Sequence, residues 1–285
     1  MTTYLQVLHQ INYYKRQGYR VGVIGFSEDG RPIPYVFIGN DKEPCVFITA
    51  GIHAREHIGC HLVLKQIEFV ANEFAKSGFK GGIYFIPMLN PDGNVLVSRG
   101  LSALESFDKR TLTNIFKGQN LQLLKANARG VDLNVNFDAN WGTGAQNTLE
   151  PNIANYIGEK PFSESETRAI ASFTKAKKPL ATISYHCLGR EIYWEFGQDD
   201  KDKKRDFVIA EYLNEKLDYC IVGDSGLSAG GYKDWCIQKL KIPSYTIELG
   251  LDDFLHPFTE YEKAKEDIAR NLDLPIRLLS KVVYS

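Results

Sequence analysis

Short apolar runs alternating with stretches of helical period constrain this chain more than any other feature of its sequence. Residues 44–49 form an unbroken apolar run of strand length, and it delivers the chain into Ala50-Gly51-Ile52-His53. A helix is expected at once, because Val63, Ile67, Val70 and Phe74 recur at helical spacing before Ser77-Gly78 supplies a stop. The next strand is expected over residues 82–89, ending in Asn90-Pro91-Asp92-Gly93, a string dense in turn formers. Further strands are expected over residues 180–186, 192–196 and 244–249. Between them, Ser163 with Glu166 reads as a capping box opening a helix to about Ala176, and a second helix is expected over residues 202–219. Gly230-Gly231 opens a short helix to Leu240, and a long terminal helix starts at Phe258 with Tyr261, Ala264, Ile268 and Leu272 on one face.

Before the apolar run come a short first helix and two β-rich stretches, residues 19–26 and 33–38, separated by Glu28-Asp29-Gly30-Arg31. Asp-Gly between such stretches signals a hairpin. Residues 94–127 show no clear period and read as a long loop with some helix, the kind of segment that often carries a site. Strands alternating with helices after an initial hairpin predict an α/β fold, a single α/β/α domain over residues 1–285 with a mixed, mostly parallel central sheet flanked by helices. No internal repeat or linker divides it.

The formal net charge of -1, without a cluster of Lys and Arg, argues against a nucleic-acid partner and for a small substrate. No apolar stretch approaches the ~20 residues needed to span a bilayer, and residues 1–17 show no export-signal pattern, so a soluble, cytoplasmic protein without a membrane partner is expected. The five cysteines, Cys45, Cys60, Cys187, Cys220 and Cys236, are odd in number, scattered and without C-x-x-C spacing, as expected of reduced thiols.

In such sheets ligands gather where strands end and loops begin. His53-Ala54-Arg55-Glu56, His186 and Glu248 stand at three such ends. His53 and Glu56, three apart at an expected helix start, can offer a nitrogen and a carboxylate oxygen to one metal ion. A catalytic zinc needs a third protein ligand, for which His186 is the candidate; His57 and His61 are expected to serve structure or support instead. Zinc acidifies water, and a nearby carboxylate can take the proton during attack on a carbonyl and pass it to the leaving nitrogen. Glu248 suits that work, since its strand is otherwise apolar or β-branched and Asp252-Asp253 already supply surface charge.

The string Thr49-Ala50-Gly51-Ile52-His53-Ala54-Arg55-Glu56, then Asn90-Pro91-Asp92-Gly93, Gly130-Val131-Asp132-Leu133-Asn134, the strand-end His186 and Thr246-Ile247-Glu248-Leu249 together resemble the zinc carboxypeptidase family typified by carboxypeptidase A. The resemblance implies one zinc held by His53, Glu56 and His186, with Glu248 as the catalytic carboxylate. By the same resemblance Asp132 orients a zinc-bound imidazole and Arg55 binds substrate. A positive charge for the tetrahedral intermediate falls to Lys125, with Arg129 as the alternative.

The sequence also departs from that family. Its usual D-x-N-R-N, whose Asn-Arg pair reads a terminal carboxylate, is here Asp132-Leu133-Asn134-Val135-Asn136, keeping Asn134 as a substrate-binding candidate but losing the arginine. The usual tyrosine before the Gly-Gly segment is absent, Gly226 being the nearest match, with Tyr232 a possible substitute from the other side. Residues 184–194 and Ala229-Gly230-Gly231-Tyr232-Lys233-Asp234-Trp235 resemble the bacterial branch that cleaves the γ-D-glutamyl to meso-diaminopimelate bond of cell-wall peptides. By the same resemblance the position just before Asp-Trp lies at the base of the family's specificity pocket, which makes Lys233 the candidate partner for the distal carboxylate of diaminopimelate; a lysine near a helix N-terminus also opposes the macrodipole. The resemblance therefore implies a zinc peptidase acting on a small wall-peptide fragment; the alternatives are a carboxypeptidase for ordinary α-linked peptides or a deacylase of small amides.

Overall fold

The computed structural model describes residues 1–40, 42–251 and 255–284. Asp252 and Asp253, expected to supply surface charge, lie outside the described residues. Eight strands form one mixed sheet: β1 (Arg20–Phe26), β2 (Pro32–Gly39), β3 (Cys45–Ala50), β4 (Gly82–Ile86), β5 (Ala181–Cys187), β6 (Glu191–Tyr193), β7 (Cys220–Val222) and β8 (Ser244–Leu249). Their spatial order is β1-β2-β4-β3-β5-β8-β6-β7. The central neighbours β4, β3, β5 and β8 run parallel, while the hairpin β1–β2, the β2–β4 contact and the β6–β8 contact are antiparallel.

Successive strand residues point to opposite faces, so each strand feeds two cores. Val46 and Ile48 of β3 join Ile83, Phe85, Ile183 and Tyr185 on one face, where α1 (Tyr4–Arg16), α2 (His57–Ser77) and α6 (Asp200–Leu217) pack. Phe47, Tyr84 and Ile86 turn to the other face, against α5 (Ser165–Lys177) and α7 (Tyr232–Leu240). Both faces being covered explains why β3, β4 and β5 are buried along their whole length, and why β3 and β4 read as nearly continuous apolar runs.

Several local expectations are corrected. Asn90-Pro91-Asp92-Gly93 is a helix start: Asn90 accepts a hydrogen bond from Gly93 N–H as N-cap of α3 (Pro91–Arg99), and Pro91 occupies the first turn, where a missing N–H costs nothing. Asp92 is fully buried, accepting from Ser27 Oγ at 2.7 Å, Asp29 N–H at 2.8 Å and Arg31 Nη1 at 2.9 Å, so the hairpin turn is bolted onto this helix start. The expected Ser163 capping box is not formed: Glu164 is the N-cap of α5 and Ser163 Oγ donates to the Glu164 carboxylate instead. In the stretch without period the structure places the end of α3, α4 (Lys109–Phe116) and two short 3-10 turns. The terminal helix is two helices, α8 (Lys265–Asn271) and α9 (Leu274–Val283), because Pro275 lacks the N–H needed to continue the first and suits the opening turn of the second. Strand β7, three residues long, was not anticipated.

Candidate metal centre and cleft

Three parallel neighbours, β3, β5 and β8, end on the same edge of the sheet. From β3 the chain crosses by α2 to β4 on one side, while β5 lies on the other, so the carboxyl end of β3 is a topological switch point. Gly51 follows β3 with φ +65°, and a Cβ there would meet Cys60 Sγ at 2.6 Å, so only glycine fits where the chain turns toward His53. His53 and Glu56 were expected at a helix start, and α2 starts at His57 with Glu56 as N-cap, the turn before it bringing both side chains to one point. His186 and Glu248 are directly paired across β5 and β8.

His53, Glu56 and His186 are buried, and each offers a ligand atom within 4.8 Å of the others. His53 Nδ1 lies 2.7 Å from Glu56 Oε1, His186 Nδ1 lies 3.1 Å from Glu56 Oε2, and the two Nδ1 atoms are 3.3 Å apart. Ligands ~2.05 Å from a tetrahedral zinc stand roughly 3.3 Å apart, so the triangle is nearly of that size. Glu56 Oε2 is buried and takes no well-oriented hydrogen bond, an acceptor left for a cation. On size, donor set and orphaned oxygen, these residues fit one zinc ion.

The electrostatics agree. Burial pulls the His53 imidazole down, but the Glu56 and Asp132 carboxylates outweigh it and lift its pKa to about 9. Burial likewise favours a neutral Glu56, yet His53 and His186 hold it well below the usual carboxylate range. A second trio of carboxylates, Glu28, Glu164 and Glu166, also comes within 4.8 Å. Ser163 and Asn127 already donate to Glu164, and Ser165 to Glu28, so that trio offers no comparable orphaned oxygen.

Asp132 Oδ1 lies 3.2 Å from His53 Nε2, on the side of the ring away from the triangle, and its carboxylate also accepts from Asn134 N–H and Asn155 N–H. Such a carboxylate fixes ring orientation and tautomer. Asp132→Asn is therefore expected to lower zinc affinity roughly 10–100-fold in competition with a chelator; unchanged affinity would show that the contact does not matter to the metal.

Glu248 is partly open to the adjoining cleft, while its Oε2 is sealed from solvent and has no hydrogen-bond partner. Burial and the Glu56 carboxylate push its pKa well above the usual range against the pull of His53 and Lys125. Lys125 lines the same cleft, and its backbone carbonyl accepts from Ala54 N–H and Asn90 Nδ2, tying it to the His53 turn. Arg129 stands elsewhere, 3.9 Å from each of Glu28, Glu159 and Glu164, so the structure brings Lys125 to the cleft and not its alternative.

The cleft, about 390 Å³, is lined by His53, His186 and Glu248 together with Asn134, Val135 and Lys233. Asn134 Oδ1 accepts from Tyr232 N–H, pinning the start of α7. Tyr232 itself is a correction: its ring is buried against Phe137 and Trp235 and its hydroxyl bonds Thr174 Oγ1 at 2.8 Å, so it faces the core and not the cleft. Lys233, one residue on, does face the cleft. Arg55 bonds Leu123 O through Nη1 and keeps a buried, unpartnered Nε. His57 meets Asn94 through Nδ1, and His61 stacks on Tyr261, so neither joins the triangle. Sequence reasoning missed His256, whose Nδ1 is buried without a partner and whose pKa falls to about 4, first through burial and then through the charge of Arg55. It also missed Glu195 and Asp224 on the cleft wall. Nothing in their spacing marks any of the three.

Comparison with known proteins shows the family and the fold. The family described as zinc carboxypeptidase matches residues 4–270. A γ-D-glutamyl-L-diamino acid endopeptidase of Lysinibacillus sphaericus is 31% identical over 84% of this chain, which spans 62% of that relative's length. Among solved structures, a carboxypeptidase A from Helicoverpa armigera superposes with a TM-score of 0.76 at 19% identity, over 100% of this chain and 75% of the other. A murein-tripeptide amidase from Escherichia coli O157 gives a TM-score of 0.58 at 20% identity, over 90% and 91%.

Proposed function

The chain belongs to the zinc carboxypeptidase family, and from that premise we propose that it is a zinc peptidase hydrolysing the γ-D-glutamyl to meso-diaminopimelate amide bond of cell-wall peptides. The observation that carries the chemistry is the convergence of His53, Glu56 and His186 beside the unpartnered Glu248 oxygen. The substrate class rests on the L. sphaericus relative, whose name specifies a γ-D-glutamyl-L-diamino acid bond, and on Val135, which cannot read a plain C-terminal carboxylate as an arginine would.

In this proposal the whole chain acts as one catalytic domain and His53, Glu56 and His186 hold one zinc. The ion, when bound, supplies Lewis acidity that polarises a carbonyl and makes water nucleophilic near neutral pH. Asp132 keeps the His53 ring aimed at it. Glu248 takes the proton of the attacking water and returns it to the leaving nitrogen, work favoured by an environment that raises its basicity. Lys125 supplies positive charge for the oxyanion. Lys233 meets the distal part of the diamino acid, with Asn134 on the cleft wall. Arg55, whose Nε is buried without a partner, is proposed to bind substrate. A reducing, cytoplasmic setting fits five unpaired cysteines, four of them buried. No helix among the described residues is long and apolar enough to cross a membrane.

Incubating the zinc-loaded protein with L-Ala-γ-D-Glu-meso-diaminopimelate is expected to release free diaminopimelate, with little cleavage of an ordinary α-linked tripeptide. The reverse preference would favour the carboxypeptidase reading. Lys233→Ala is expected to raise KM for the diaminopimelate peptide by at least about fivefold, and far more than for the lysine analogue; equal effects on both would remove Lys233 from recognition.

A further inference from the structure

The Lys233 cation in the cleft is already compensated. Lys233 Nζ lies 2.7 Å from Asp234 Oδ1, donates to Glu195 O at 3.0 Å and sits 5.4 Å over the Phe196 ring. Two more carboxylates stand on the same wall: Glu195 Oε2 accepts from Asp224 N–H at 3.3 Å, holding the two side by side. The other Glu195 oxygen pairs with Lys203, whose side chain is half exposed and screened by water. Three carboxylates of the cleft wall, Glu195, Asp224 and Asp234, therefore outnumber the two cations that face them, Lys233 in the lining and Lys203 outside it. A ligand carrying only a carboxylate would bring a further negative charge to a wall already in carboxylate excess. A ligand carrying only an ammonium would leave Lys233 without a new partner.

We infer that the distal wall of the cleft reads a zwitterionic amino-acid centre, taking its carboxylate at Lys233 and its ammonium at Glu195 and Asp224. The far end of meso-diaminopimelate is such a centre, so the inference rests on the peptidase reading above and deepens it. With the α-amino group acylated, as in the peptide, the distal end of lysine offers an ammonium alone, and that of 2-aminopimelate a carboxylate alone. The zwitterion site ranks them diaminopimelate, lysine, 2-aminopimelate, whereas a site built on Lys233 alone reverses the last two.

The test titrates the zinc-loaded protein with the Nα-acetyl derivatives of meso-diaminopimelate (acetylated at its L centre), L-lysine and L-2-aminopimelate, which differ only at the distal end, reading Kd by calorimetry, with hydrolysis of the three matching γ-D-glutamyl tripeptides measured in parallel. Wild-type protein is expected to bind diaminopimelate at least about fivefold more tightly than lysine, and 2-aminopimelate most weakly. Glu195→Gln, and independently Asp224→Asn, is expected to weaken diaminopimelate while leaving 2-aminopimelate unchanged or improved. Equal binding of diaminopimelate and 2-aminopimelate, equal loss of both in the two variants, or no measurable diaminopimelate binding overturns the inference. If the ranking holds but no tripeptide is cleaved, the zwitterion site stands and the proposed reaction falls. If the diaminopimelate tripeptide is cleaved and the ranking fails, the reaction stands and the zwitterion site falls.

Discussion

Glu248→Gln is expected to keep zinc at wild-type stoichiometry while turnover of the diaminopimelate peptide drops by about 10²–10⁴-fold. Glutamine matches glutamate in shape, so the β5–β8 register that sets His186 against position 248 is kept. It removes the oxygen that can take a proton. Stability should hold or rise slightly, because burial and the Glu56 carboxylate already disfavour a charge at Glu248 and the amide removes that charge. The effect belongs in kcat more than in KM, since the proton moves only as the transition state is approached. Measuring kcat, KM and bound zinc on one preparation separates the outcomes. Full turnover in the variant would remove Glu248 from the chemistry, and lost zinc would make it a holder of the ion instead.

The second large effect concerns the ion's hold on the fold. Wild-type protein should melt at a higher temperature with zinc than with chelator, since a ligand present at 1,000 times its Kd adds about 4 kcal/mol of stability. His186→Ala is expected to abolish that difference and to lower zinc affinity beyond the roughly 10–100-fold expected when a supporting carboxylate is lost. With one donor gone, the triangle keeps two ligands, His53 and Glu56, and the Glu56 carboxylate loses the imidazole nitrogen 3.1 Å from its Oε2. Melting temperature with and without zinc, for wild type and variant, is the check. A zinc-dependent shift that survives in His186→Ala would place the ion elsewhere.

How far the sequence could be read depended on whether a signal was periodic or merely local. The run that became β3 was legible because a strand buried on both faces is apolar throughout, and with it came the placement of His53 at a strand end. The pairing of His186 with Glu248 followed from two more such strands, though their adjacency required the sheet order. Local signals were degenerate: Asn90-Pro91 serves a turn or a helix start equally well, and the partners of Asp92 decided between them. Lys125 and Arg129 lie in a stretch without period, so only the coordinates show which of them borders the cleft. Tyr232 and Lys233 are neighbours on α7, and a helix turns about 100° per residue, enough to send one into the core and the other into the cleft. Glu195, Asp224 and His256 carry no spacing signal because each belongs to a segment placed by tertiary packing alone.

The most direct test is an anomalous-difference map at the zinc absorption edge from crystals of the zinc-loaded protein. One strong peak is expected roughly 2.0–2.2 Å from His53 Nδ1, His186 Nδ1 and the Glu56 carboxylate, with the Glu248 carboxylate nearby but outside bonding distance. A peak at Glu28, Glu164 and Glu166 instead, or none at the His53 triangle, would contradict it.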